Sequence, residues 1–298
     1  MYDLIVDTCV WIKMCSDVRE WPLLDGLEKL VAAGKVRLIV PTVIRDEAGK
    51  HLPNTAAKVV KTGKSWLQEL RFLGETVITD PPRLSALDET IAHFRTTLDA
   101  IPPEINKTSD KALALIQSAH IIEPSSEIDT GAIRRGIEKK APFNSGSKNS
   151  MADAVILETI LAHARSLRKI DDKRSIAFVT DNKSDFSAKK DHRVPHDDFA
   201  GELKDLDIKY YINIAELLEI LAKEFDSEAE QKKLTGIIKE RKLVARVADV
   251  DILQPLTSIC QKCGGITYGG YRHSYAGLSW HLNCGTCGMS WDTGECFD

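Results

Sequence analysis

Long apolar runs are missing: no stretch of the 298 residues approaches the roughly 18 consecutive apolar positions that a membrane-spanning helix requires. No charged leader with an apolar signal core precedes the first strand-like segment, so the expectation is a cytoplasmic protein with no membrane association. Internal repeats and low-complexity tracts are absent, and aromatics make up only 6% of the chain. The net charge of −4 gives no global electrostatic footprint for a polyanion, so any nucleic-acid binding has to come from local basic patches. Cysteine is almost absent from most of the chain: Cys9 and Cys15 lie near the start, and the other five crowd into the last 39 residues. In a reducing compartment that distribution argues against a disulfide framework and for a metal site.

What is present is an ordinary globular composition, 43% apolar and 28% charged, with enough length for one large domain or two smaller ones. The organising stretch is Phe178-Val-Thr-Asp181-Asn182-Lys-Ser-Asp185-Phe186. Ile176 to Val179 reads as a buried parallel strand that stops abruptly in acidic and amide side chains, the place where open α/β sheets hold ligands. Carboxylates leaving a strand end together are costly unless a cation neutralises them.

Other acids follow buried elements in the same way. Leu4-Ile-Val6 is a strand that runs into Asp7-Thr8, although an Asp there also suits a helix N-cap. The spacing of Leu23, Leu24, Leu27, Leu30 and Val31 predicts a helix over 21–33 stopping at Gly34, followed by a second strand from Val36 to Val40. The helix opened by Pro41-Thr42 carries Glu47 near the strand end, with Asp46 beside it read as the solvent-facing one although periodicity does not separate the two. Ser150 is placed to cap a strongly apolar helix over 151–165, which puts Asp153 in the first turn of a buried helix, where helix-dipole pairing is the bland alternative.

Between these elements, residues 54–73 form an amphipathic helix with Lys58, Lys61 and Lys64 on one face, a solvated face or a polyanion contact. Further helices at about 83–100 and 109–119 read as a helical insertion within 54–149. Arg134, Arg135, Lys139, Lys140 and Lys148 stand against a single Glu138, and 144–149 is a polar Gly/Ser-containing loop. With Lys183, these are the candidate nucleic-acid contacts. Ile208 to Ile212 and Ile214 to Phe225 read as a last strand and a closing helix, and 227–256 as a charged helical linker.

A parallel sheet brings strand ends to one edge, so Asp7, Glu47, Asp153, Asp181 and Asp185 are expected to converge. Hard oxygen donors of that kind suit Mg²⁺ or Mn²⁺, and the chemistry that follows is metal-assisted phosphodiester hydrolysis. The alternative is a nucleic-acid or protein binding module whose acidic cluster is vestigial. A phosphatase using Asp7 as nucleophile is weaker, because Asp7-Thr8-Cys9 has no second carboxylate two residues on.

At these residues the chain resembles the PIN-domain nucleases, and looks most like the larger bacterial variants with helical insertions. The matching pieces are Leu-Ile-Val-Asp7-Thr, Pro-Thr-Val-Ile-Arg-Asp-Glu47, Ala-Asp153-Ala-Val-Ile-Leu-Glu and Val-Thr-Asp181-Asn182-Lys-Ser-Asp185-Phe, within residues 1–226. The resemblance implies an α/β/α sandwich around a parallel sheet, a Mg²⁺ or Mn²⁺ cluster and endonuclease activity, usually on single-stranded RNA. It assigns the acidic roles to Asp7, Glu47, Asp153 and Asp181, with Asp185 assisting or replacing Asp181, and leaves Thr8, Thr180 and Asn182 to shape the site. It also implies a toxin-like effect on growth, an inhibitor or defence-system partner, and room for an oligomer.

Cys260-Gln-Lys-Cys263-Gly and Cys284-Gly-Thr-Cys287-Gly are two C-x₂-C knuckles separated by 20 residues, the spacing of a four-thiolate structural Zn²⁺ site. The runs Ile266–Tyr268 and Leu278–Leu282 suit strands of a small zinc ribbon over 257–298. A module of this size needs the metal for its folding free energy. Tyr268, Tyr271, Arg272, Tyr275 and Trp280 are either its small core or a stacking surface for single-stranded bases.

Overall fold

The computed structural model describes residues 1–143, 150–223, 231–232, 235–236, 262–263, 267–274, 277–284, 287 and 290–297. It divides into two units, Met1–Arg241 and Lys242–Asp298. Lys148 and Cys260 lie outside the described residues, as does nearly all of the 227–256 linker.

The first unit is built on a five-stranded parallel sheet in the order β3-β2-β1-β4-β5. Its strands are β1 (Tyr2–Val6), β2 (Val36–Pro41), β3 (His120–Ile122), β4 (Ser175–Val179) and β5 (Ile208–Tyr211). Strand β1 is central and buried along its whole length, which is why Tyr-Asp-Leu-Ile-Val reads almost without polar alternation. From β1 the chain goes to β2 and β3 on one side of the sheet, then returns to β4 and β5 on the other. The carboxyl ends of β1 and β4 therefore flank the topological switch point, where a parallel sheet opens a crevice. The Asp7 N–H donates to the Val179 carbonyl at 2.9 Å and holds those two ends together.

The helices follow the sequence pattern with informative exceptions. Helix α1 (Thr8–Ser16) starts directly after Asp7, and α2 (Trp21–Ala32) ends where Gly34 takes φ 67°. Helix α3 (Thr42–His51) carries Glu47. The insertion consists of α4 (Thr55–Val77), α5 (Pro81–Ala100) and α6 (Pro102–Gln117). The last two start at Pro-Pro pairs, so the predicted boundaries at 83 and 109 fall inside helices: proline at a first helical turn gives up no hydrogen bond. Helices α7 (Ser126–Glu138), α8 (Met151–Lys169), α9 (Lys183–Phe186), α10 (Asp197–Asp205) and α11 (Ile214–Ala222) complete the unit, an α/β sandwich. No described helix is long and apolar enough to cross a membrane.

A second buried network stabilises the amino-terminal half of β1. Asp3 is fully buried, with Arg37 Nε at 2.8 Å, His163 Nε2 at 2.9 Å and Arg174 Nη1 at 3.5 Å. Burial alone would raise the Asp3 carboxyl, but the hydrogen bonds from His163 and Arg37 outweigh it and hold the group well below the usual carboxylate range.

In the second unit a three-stranded antiparallel sheet runs β6 (Thr267–Ser274), β7 (Gly277–Cys284), β8 (Ser290–Phe297). The third strand is not apparent from sequence. Thr267 pairs with Cys284 at one end of the β6–β7 hairpin and Ser274 with Gly277 at the other.

Candidate active site

Each acid at the switch point is delivered by a different element. Asp7 occupies the N-cap position of α1, yet its carboxylate makes no capping hydrogen bond. Instead it accepts from Thr180 Oγ1 at 2.5 Å and from Cys9 Sγ at 3.3 Å. Asp7 is thus an N-cap by position whose carboxylate serves Thr180 and Cys9 instead of capping the helix. Burial raises the Asp7 carboxyl, the bonds from Thr180 and Cys9 oppose that rise, and the nearby charge of Glu47 adds to it. Glu47 accepts from Thr8 Oγ1 at 2.7 Å across a separation of 39 residues, while Asp46 is exposed and paired with Arg45.

Asp153 sits in the first turn of α8, beneath which Ala154, Ile156, Leu157, Ile160 and Leu161 are buried. Its carboxyl is pushed up to about 7, first by burial and then by the charges of Asp7, Asp185 and Glu47. Those three acids are therefore its electrostatic neighbours. Asn182 Nδ2 donates to Asp153 Oδ1 at 3.3 Å and to Asp185 Oδ2 at 2.9 Å, and the Asn182 N–H donates to Thr180 Oγ1 at 3.0 Å. Asp185 is 1% exposed because the next residue, Phe186, is buried against Phe178 and Phe199. Burying that ring contributes roughly 2–3 kcal/mol and holds the short helix α9 against β4.

Asp181 is the exception among the five. Its carboxylate binds Lys13 Nζ at 2.7 Å and Lys183 Nζ at 3.4 Å. Burial would raise it, but the two lysines lower it on balance. The structure thus groups Asp7, Glu47, Asp153 and Asp185 and turns Asp181 towards a lysine pair. Lys13 escaped the sequence reading because α1 carries no clear amphipathic pattern. Its position six residues after Asp7 was the available signal.

The basic candidates divide too. Arg134, Lys139 and Lys140 are exposed, with Lys140 paired to Glu138 at 2.7 Å. Arg135 is corrected as a nucleic-acid contact: it is buried, with its guanidinium bound to both Glu158 and Glu202. The first part of the basic stretch lies on helix α7, and Arg135 is on its inner face.

Among the described residues, Asp7, Glu47 and Asp153 have hydrogen-bond partners that are all neutral: Thr180, Cys9, Thr8 and Asn182. Two other buried acids, Asp3 and Glu158, are matched by arginine. Among the described residues no three His, Cys, Asp or Glu side chains form a ready-made cage at coordination distance. The donor set nevertheless fits a hard dication that retains several of its waters.

An open parallel sheet with acids gathered at its switch point belongs to the class of α/β proteins that act on ligands at strand ends. More narrowly, the PIN domain family matches residues 4–186, and the chain belongs to that family. PIN domains are in general metal-dependent nucleases that use Mg²⁺ or Mn²⁺ on nucleic-acid substrates. No curated protein and no solved structure matches the chain.

Proposed function

We propose that the protein is a Mg²⁺- or Mn²⁺-dependent endonuclease of single-stranded RNA, with Asp7, Glu47, Asp153 and Asp185 as the metal-holding acids. One observation carries this reading: Asp7, Glu47 and Asp153 are brought together with only neutral partners, so negative charge is left over where the sheet opens. A bound Mg²⁺ or Mn²⁺ supplies an activated water and neutralises charge on the phosphate and the leaving oxygen. Thr180, Thr8 and Asn182 orient the carboxylates, since each donates to a carboxylate oxygen while bringing no charge. Lys13 and Lys183, drawn together by Asp181, form a cationic spot next to the cluster. They serve to hold a phosphate beside the scissile one, which makes Asp181 a positioning residue. Exposed Arg134 and Lys139, at the end of α7, are further candidate phosphate contacts.

The second unit is proposed as a zinc ribbon. Thr267, four residues after Cys263 in sequence, pairs with Cys284 at one end of the β6–β7 hairpin. That backbone arrangement suits four-thiolate binding by Cys260, Cys263, Cys284 and Cys287. One zinc per purified chain is expected, and loss of the metal unfolds this unit.

The test is incubation with Mn²⁺ and labelled single-stranded RNA, single-stranded DNA and duplex, beside Asp153→Asn. Cleavage of the single-stranded RNA by the parent alone supports the reading. Equal cutting by the variant refutes the site, and preferential cutting of DNA refutes the substrate.

A further inference from the structure

The insertion bears a feature that phosphodiester chemistry does not use. On α4, Trp66, Leu70, Leu73 and Val77 are 42% to 67% exposed. Their spacing of four, three and four residues places them in one stripe along the helix. Inward, α4 and α5 approach so closely that a Cβ on Gly63 would meet Leu98, and one on Gly74 would meet Leu87. These two contacts fix an antiparallel register that sets Phe94 of α5 beside Leu67 and Leu70. Ion pairs Lys64–Asp99 and Arg71–Asp88 close one flank of the hairpin. Helical periodicity puts the stripe and Phe94, itself exposed, on the opposite flank.

We infer that this flank is a self-association surface, and that its occupant is the same flank of a second copy of the chain, with the two α4 helices antiparallel. Two arguments select that occupant. The apolar area available is on the order of 600 Å² per copy given the size of one Trp, one Phe and three aliphatic side chains, and a stable interface needs about 1,200 Å² in total. A two-fold axis near Leu70 sets Trp66 of one copy against Leu73 of the other, so the stripe is complementary to itself.

Sedimentation velocity on the full chain at micromolar concentration tests this, with Leu70→Glu/Leu73→Glu and Trp66→Ala as variants. The parent is expected to be a dimer. The double variant is expected to be a monomer whose far-ultraviolet circular dichroism matches the parent's, because Leu70 and Leu73 are 42% and 56% exposed. Trp66→Ala weakens the dimer by roughly tenfold or more, as the loss of a central aromatic does, and keeps the test available should the double variant fail to fold. A monomeric parent, a dimer indifferent to both variants, or a monomer that instead pellets with lipid vesicles overturns the inference. None of these results depends on nuclease activity.

Discussion

The Asn182 side-chain amide donates to Asp153 at 3.3 Å and to Asp185 at 2.9 Å, so one neutral group restrains two acids that repel each other. Asn182→Ala removes that shared donor. The expected result is a fall in cleavage rate of about 10- to 100-fold, the usual cost of losing a group that orients ligands. The rate-versus-pH curve also moves upward, because Asp153 loses the one hydrogen bond that lowers its proton affinity. A variant with the parent's rates at every pH would show that the amide is not needed.

Asp153 carries a stability cost in the metal-free protein. Burial and its three acidic neighbours raise its carboxyl from 3.8 to about 7, so between those values the folded state holds a proton that the unfolded state has released. Stability therefore falls as pH rises from about 4 to about 7. Asp153→Asn removes the penalty, and a gain of about 1–3 kcal/mol is expected at pH 8, shrinking to little difference near pH 4. Thermal melts of parent and variant in metal-free buffer at the two pH values measure it. A variant less stable than the parent at pH 8 contradicts the crowding of acids.

The opposite sign applies to Asp3. Its carboxyl is held low in the folded state by hydrogen bonds from His163 and Arg37, so it adds stability above the unfolded value of 3.8, and that stability is lost as pH falls below it. Asp3→Ala strands Arg37 and Arg174 beside a buried strand, at an expected cost of about 3–5 kcal/mol at pH 7. Denaturant titration of the variant checks this, and the gap should close in acid.

The sequence was most legible where a residue's role depends on its own element. Asp7 after β1, a carboxylate near the start of α3 and Asp153 at the head of an apolar helix are readable from position, although periodicity does not separate Glu47 from Asp46. It was least legible where the role depends on a distant partner. Asp181 and Asp185 are four residues apart, and only the turn through α9 sends one inward and the other to Lys13, 168 residues away in sequence. Arg135 looked like a surface cation because Glu158 and Glu202, 23 and 67 residues distant, are matched to it only by the packing of α7, α8 and α10. Strand β3 has three residues, too few for any alternation to show.

The central claim is that a dication binds among Asp7, Glu47, Asp153 and Asp185, with Asp181 outside its shell. Mn²⁺ binding to the zinc-loaded protein, followed by electron paramagnetic resonance of the free ion, tests it most directly. The parent is expected to bind, Asp153→Asn to lose binding by at least about tenfold, and Asp181→Asn to keep it. Equal Mn²⁺ uptake by parent and Asp153→Asn, or loss confined to Asp181→Asn, would contradict the account.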